Sequence, residues 1–383
     1  MKLIENATDE IIYYDLISSE FINSKEWIKP NRRVAISDFE AYVSNGLFNL
    51  RRPGIYRSFM GLCSIPPKSN WIVSDGFYQF HSERRYVLVP KRQTLSQVEA
   101  MAARYLEKIY INNPIIELSG GLDTSIIIDF FLQNGLDFKL IGFSSDRYEF
   151  RTERKIQEYY LNKASESHLM KYEDYPAFAN LKNVFRHPVP AQESLFFNRH
   201  LTIATSAKNL NNSIVLTGEA GDQLLGFSAL NIHAGKRLPE GNYYWSLAEH
   251  WSNQHVYRRH GVNYISALAV GLLPAMILSM REKKPEDVMK LWARRQLKGR
   301  LPTMLTDFAY KGFHDGWVNH GLLLAKNDIK EMAKITFDAV PHADLSPKAV
   351  EHDLVKYGQL SEDRRSYFLT RLSFIVWLYS SHI

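Results

Sequence analysis

Cys63 is the only cysteine in 383 residues, which removes a disulfide framework, a Cys-based zinc site and a CxxC redox pair together. The opening Met1-Lys2-Leu3-Ile4-Glu5-Asn6 turns polar and acidic at once, without the apolar run and small-residue cleavage site of a secretory signal, so the expected compartment is the cytoplasm. The net charge is only +6, and arginines fall in short pairs such as Arg51-Arg52, Arg84-Arg85 and Arg294-Arg295. Without a dense basic stripe, nucleic acid is not an expected partner. One uncharged stretch, Val262 to Met280, approaches the ~20 residues of a membrane span, but it carries Asn263, Ser266, Gly271 and Pro274. A proline near its middle would break a helix, so two buried helical pieces are expected there, and no membrane. No HExxH occurs, and His250 and His255 are five apart, off the i, i+4 spacing of a helical metal pair.

The chain is long enough for two domains and a substantial core. Residues 1 to 92 read as β-rich, with Trp71-Ile72-Val73 and Phe77-Tyr78-Gln79-Phe80 flanking the turn signal Ser74-Asp75-Gly76, a hairpin pattern. A helix is expected from Thr94 to about Tyr110, with Ser96 and Glu99 as its capping box and Val98, Met101, Ala102, Tyr105, Leu106 and Ile109 on one face.

From Pro114 short apolar runs alternate with helical ones. Strands are expected at Ile115–Leu118, Phe138–Phe143, His168–Tyr172 and Ser213–Thr217, and helices up to the Asn134-Gly135 stop, near 151–164 and near 193–209. This alternation predicts an α/β fold: a doubly wound parallel sheet covered on both faces, with ligands beyond the carboxyl ends of its strands. A boundary is expected between 230 and 245, and the chain reads as helical after about 235, with no further strand.

Two loops at strand ends carry the chemistry. In Ser119-Gly120-Gly121-Leu122-Asp123-Thr124-Ser125 the glycines let backbone N–H groups approach an anion, and the helix that starts at once adds its unpaired donors and positive dipole end. Asp123 would repel a bare phosphate, which suggests a bridging magnesium, an ion that takes one or two carboxylates together with phosphate oxygens. The lysine of a Walker A loop is missing. The second loop, Thr217-Gly218-Glu219-Ala220-Gly221-Asp222-Gln223, sets Glu219 and Asp222 on small-residue backbone and offers a second magnesium carboxylate. Each loop alone reads equally as an ordinary strand-to-helix turn.

Together, SGGLDTS and TGEAGDQ resemble the paired signatures SGGxDS and GEGxDE of the asparagine synthetase-like ATP pyrophosphatases. The resemblance implies an adenine nucleotide alpha hydrolase-like sheet, with ATP and Mg2+ as cofactors. It implies that Ser119, Gly120, Gly121, Asp123, Thr124, Ser125 and Gly218 hold the pyrophosphate, that Asp123 and Asp222 hold metal, and that Leu118 and Phe143 lie near the adenine. Glu219 matches a substrate-side catalytic glutamate. Thr124 stands where a serine is usual and keeps the hydroxyl, while Gln223 replaces an acid.

Glutamine-dependent members carry a preceding domain with an N-terminal cysteine. Here residue 2 is Lys2 and Cys63 is internal. Tyr42-Val43-Ser44-Asn45-Gly46 and Cys63-Ser64-Ile65-Pro66-Pro67-Lys68 resemble the tail of that domain, so residues 1–92 are read as its β-rich remnant and 93–383 as the synthetase domain. His187-Pro188-Val189-Pro190 and the stretch from Leu301-Pro302 to Phe308-Ala309 resemble segments of lasso peptide cyclases. By the same resemblance Lys311, after Leu301-Pro302, is the candidate catalytic lysine.

The implied reaction is ATP-dependent amide formation through an acyl-adenylate, with AMP and pyrophosphate released, as in macrolactam closure of a ribosomal peptide. The substrate would be a peptide or small-molecule carboxylate, and a leader peptidase and a peptide-recognition protein are the implied partners. Alternatives are an ammonia-dependent asparagine synthetase, a β-lactam-type synthetase, and a non-catalytic nucleotide- or partner-binding protein.

Overall fold

A computed structural model describes residues 2–6, 12–15, 18–22, 34–51, 55–57, 62–65, 69–74, 77–83, 93–110, 113–147, 150–183, 190, 195–210, 213–219, 221–225, 253–254, 256–269, 273–280, 290–307 and 315–382.

The N-terminal strands are β1 (Lys2–Asn6), β2 (Ile12–Asp15), β3 (Glu20–Ile22), β4 (Ile55–Arg57), β5 (Leu62–Ile65), β6 (Ser69–Ser74) and β7 (Phe77–Glu83). They form two antiparallel sheets, ordered β1-β6-β7-β4 and β3-β2-β5. The expected hairpin is present, with Ser74 paired to Phe77. A small core of Ile4, Tyr14, Cys63, Ile65, Trp71 and Val73 lies among these strands. Between them runs helix α1 (Ile36–Arg51), absent from the β-rich expectation. Its Phe39 meets the Phe374 ring at 5.0 Å, and Tyr42 Oη lies 2.6 Å from Ser373 Oγ, so α1 joins the main core on the helix Glu362–His382.

Helix α2 (Leu95–Tyr110) begins one residue later than expected, and its cap is different. Thr94 N donates to Gln97 Oε1 and Gln97 N to Thr94 Oγ1, so the reciprocal box is Thr94 with Gln97 rather than Ser96 with Glu99. A capping box needs its members at the N-cap and third helical positions, and Leu95 as first residue assigns those to 94 and 97.

The central sheet has five parallel strands: β8 (Ile115–Glu117), β9 (Lys139–Ser144), β10 (Glu166–Lys171), β11 (Ile214–Thr217) and β12 (Asn263–Ser266), ordered β10-β9-β8-β11-β12. The expected alternation is present, with α3 (Leu122–Gln133), α4 (Arg151–Leu161) and α5 (Phe197–Asn209) between the strands. Successive strand residues enter opposite cores, as the two-residue period of a strand requires. Ile115, Ile141 and Val215 join the core under α5 and the C-terminal helices, whereas Ile116, Leu140 and Leu216 join the core under α2, α3 and α4. The sheet is therefore doubly wound.

The strand β12 corrects the expectation of an all-helical region after 235. Asn263–Ser266 is only four residues long, and it is a strand because it pairs with the edge of β11, Thr217 opposite Ser266. The two buried helical pieces expected in this stretch are present, as a 3-10 turn at Ala267–Ala269 and the helix Leu273–Met280; Pro274 does not break the second but is its second residue, where a missing N–H costs nothing. No helix among the described residues is long and apolar enough to cross a membrane. The expected boundary at 230–245 lies outside the described residues.

Candidate nucleotide site

The order of the central sheet reverses between β8 and β11: β9 and β10 lie on one side, β12 on the other. In open α/β sheets the crevice at such a switch point, beyond the carboxyl ends of the strands, is where ligands bind. The two loops singled out in sequence follow these two strands.

In the first loop Gly120 has φ +77, and a Cβ there would stand 2.8 Å from Glu153 O, so the turn needs glycine on both counts. Ser119 Oγ lies 2.9 Å from Thr124 Oγ1 and accepts from Gly121 N at 3.2 Å. Ser125 Oγ instead donates to Gly121 O at 2.8 Å, and the side chain is fully buried. The cap of α3 is Gly121, with no side chain in the capping role. An anion would complete that cap and meet the positive end of the helix dipole.

The second loop lies directly on the first. A Cβ on Gly218 would be 2.9 Å from both Asp123 Cβ and Thr124 N, and one on Gly221 would be 2.3 Å from Asp123 Cγ. These glycines are thus what allows the two loops to meet around Asp123. Asp222 lies in the short helix α6 (Gly221–Leu225), and its side chain, like that of Gln223, is outside the described residues.

Sequence reasoning missed the cation at this site. Lys290 Nζ reaches both carboxylate oxygens of Asp123 at 2.5 Å, from 167 positions along the chain. Lys290 is buried and holds a left-handed backbone conformation, φ 60 and ψ 33. Arg294 follows, its Nη1 donating to Leu305 O. Burial lowers its pKa, partly offset by the Asp123 carboxylate. Trp292 Nε1 donates to Leu225 O at 2.5 Å, closing this segment over α6. Lys311 and residues 184–189 lie outside the described residues, while Leu301–Asp307 is described and includes the helical turn Thr303–Thr306.

Beneath the loops is a buried polar layer. Glu117, a buried acid within β8, pairs with Arg199 of α5. Burial works against the Arg199 charge, but the Glu117 carboxylate, with Tyr172, Tyr264 and Tyr257 around it, outweighs that and raises its pKa. The Tyr264 hydroxyl sits 2.9 Å from Glu117 Oε2 and 2.8 Å from Glu219 Oε1, one hydroxyl proton serving two carboxylate oxygens. Burial first, then the Glu117 and Glu219 carboxylates, push its pKa well above the ordinary tyrosine range, so it stays a neutral donor. Asn253 Nδ2 also donates to Glu219 Oε1, and Ser266 Oγ to Glu219 O. Tyr257 stacks on Tyr264 at 4.0 Å and meets His200 Nδ1 at 3.2 Å.

Leu118 and Phe143 stand at strand ends, but both side chains are buried, Phe143 stacked on Tyr172 at 5.2 Å. Their carbonyls accept from Gln157 Nε2 at 3.3 and 2.7 Å, so the buried Gln157 amide ties the ends of β8 and β9 together. Among the described residues no cluster of three or more His, Cys, Asp or Glu side chains forms a metal cage.

No family model matches the chain, and no curated protein matches its sequence. Among solved structures it is similar to the NMN synthetase of Francisella tularensis, at 14% identity over 60% of this chain and 94% of that one, with a TM-score of 0.28. It is also similar to the glutamine-dependent NAD+ synthetase of Acinetobacter baumannii, in complex with ADP, at 12% identity over 80% of this chain and 62% of that one, with a TM-score of 0.26. At these scores neither likeness bears on the activity of this chain. The functional reading therefore rests on the loops and their surroundings.

Proposed function

We propose that the chain binds MgATP between the 119–125 and 217–223 loops and activates a carboxylate as an acyl-adenylate for amide formation, with macrolactam closure of a peptide as the reaction. The observation that carries the proposal is the meeting of the two glycine-bearing loops on Asp123 at the switch point of a parallel sheet. The first-turn N–H groups of α3 and the Ser119 and Thr124 hydroxyls provide the donor set for pyrophosphate oxygens. Asp123 fits a cation, since an ammonium already lies against both of its oxygens. Magnesium, when bound, would neutralise phosphate charge, and Asp123, with Asp222 as the second proposed carboxylate, would hold it.

In the first step a substrate carboxylate oxygen attacks the α-phosphorus and the bond to the β-phosphate oxygen breaks, releasing pyrophosphate. In the second an amine nitrogen attacks the acyl carbon, AMP leaves, and the amine gives up a proton. Glu219, fixed by Tyr264 and Asn253, is the proposed acceptor on the substrate side. Lys311 keeps its proposed role as a cation for developing phosphate charge. A leader peptidase and a peptide-recognition protein are the proposed partners. The Asp123–Lys290 pair also favours a second reading, a protein that binds nucleotide without turning it over.

The test is to incubate the full chain with MgATP and, separately, aspartate, ammonia or candidate precursor peptides, then measure AMP, pyrophosphate and product mass. AMP with a peptide lighter by one water is the expected result. AMP with asparagine would move the substrate to small acids. ATP binding with no AMP under any condition would support the second reading, and release of ADP in place of AMP would sink adenylation altogether.

A further inference from the structure

We propose that Lys290 is an exchangeable counter-ion that holds the metal position of Asp123 in the nucleotide-free protein, and that nucleotide phosphates draw it away so that metal and nucleotide bind as a coupled pair. The inference rests on the MgATP reading above and adds to it how the site discriminates metal alone from metal with nucleotide.

Three observations carry it. The ammonium lies 2.5 Å from both carboxylate oxygens, which leaves no face of Asp123 where a divalent ion could bind without strong repulsion from a like charge. Lys290 reaches this position from a left-handed backbone conformation that non-glycine residues rarely adopt, strain of the kind found where function over-determines the backbone. The pair also sits at the start of α3, beside the glycine-capped first turn that would receive phosphate. A polyphosphate arriving there brings several negative charges within reach of a lysine whose four-carbon stem lets the ammonium move without moving the backbone. Asp123 is then released to a divalent ion.

Linkage makes the two bindings reciprocal: whatever nucleotide contributes to metal affinity, metal contributes to nucleotide affinity. Replacing the ammonium by an apolar group of similar length should therefore shift the two single-ligand affinities in opposite directions. A lysine that merely ties the segment to α3 would, when removed, weaken both.

The experiment compares the wild-type chain with Lys290→Met. Mn2+ binding without nucleotide is read by electron paramagnetic resonance of the free ion, and ATP binding in EDTA by equilibrium dialysis. For K290M we expect Mn2+ alone to bind at least about tenfold tighter, equivalent to about 1.4 kcal/mol, and metal-free ATP to bind weaker. The enhancement of Mn2+ binding by ATP, large in the wild type, should shrink. Changes in the same direction, or none, while the wild type still binds ATP with Mn2+ would overturn this inference and leave the MgATP reading standing. No ATP binding by the folded wild type, with or without Mn2+, would overturn both. Lys290→Gln carries the same test if K290M is recovered unfolded, and failure of both variants to fold would make the pair a structural tie and reject the exchange.

Discussion

Asp123 and Asp129 stand on the same helix, and residues 290–300 supply a cation to each, yet the two pairs are built differently. At Asp129 two nitrogens of the Arg300 fork converge on Oδ2, at 3.1 and 2.5 Å, and the same guanidinium reaches Glu99 Oε1 of α2 at 2.6 Å. The Asp129 carboxylate is 5% exposed. At Asp123 the partner is a lysine, a compact charge on a flexible stem, and the carboxylate is 20% exposed. Arginine's planar fork loses less freedom per bond and suits a permanent anchor, whereas a lysine can leave. The difference separates a carboxylate that fastens the segment to the fold from one that lies between the two loops proposed to hold nucleotide.

The largest expected effect comes from breaking the less buried carboxylate, Asp123. Asp123→Asn should lower AMP formation by about 10²- to 10³-fold, the scale of losing one preorganised electrostatic group, in addition to the stability lost by leaving the buried Lys290 ammonium without that carboxylate. Unchanged turnover in a steady-state AMP assay would reject the role given to this carboxylate. Asp129→Asn should act on stability alone. Denaturant melts should show a loss of about 3 kcal/mol, the low end for a broken buried pair because Arg300 is partly exposed and keeps Glu99, while ATP affinity of the folded protein stays within twofold of wild type, or about 0.4 kcal/mol. If D129N instead abolished binding at full stability, the contrast between the two carboxylates would collapse.

A third change sharpens the comparison without touching either acid. Gly218→Ala sets a methyl group against Asp123 and the Thr124 backbone, so it should cost about 2 kcal/mol through overpacking and weaken ATP binding by parting the loops, with the Asp129 pair intact. Calorimetry and dialysis on the same sample would check both halves; normal ATP affinity would show that the loops do not act together.

The smallest effect lies in the layer under both pairs. Tyr264→Phe should cost about 1 kcal/mol at neutral pH, one net hydrogen bond. The raised pKa of Tyr264 means that the folded state holds its proton more tightly than the unfolded chain, whose tyrosines titrate near pH ~10. Its contribution is therefore complete below about pH 10 and is lost as pH rises toward the folded value. Y264F should show a shallower alkaline loss of stability, and Tyr257, likewise raised, should retain its own share. An unchanged alkaline slope would remove Tyr264 as the neutral bridge between Glu117 and Glu219.

Much of this architecture was legible along the chain. The apolar runs of β8 and β11 are buried throughout, and their flanking glycines marked the strand-to-helix turns that the fold uses. Local signals fail where a residue's state depends on a distant neighbour. Asn263–Ser266 carries no strand signature of its own length and is a strand because β11 offers an edge. Glu117 looks misplaced until Arg199 and Tyr264 arrive from α5 and β12. The capping box moved because two overlapping polar patterns competed and the first helical residue decided between them.

By itself the sequence determined the alternation of strands and helices, the two loops with their glycines and acids, and the absence of disulfide chemistry, because these depend on side chains close together along the chain. Only the tertiary structure decided that both loops flank the switch between β8 and β11, and that a lysine 167 positions away occupies the carboxylate they share. Long-range pairing is set by which surfaces the packed core brings together, and no local pattern around Lys290 records that Asp123 is its partner.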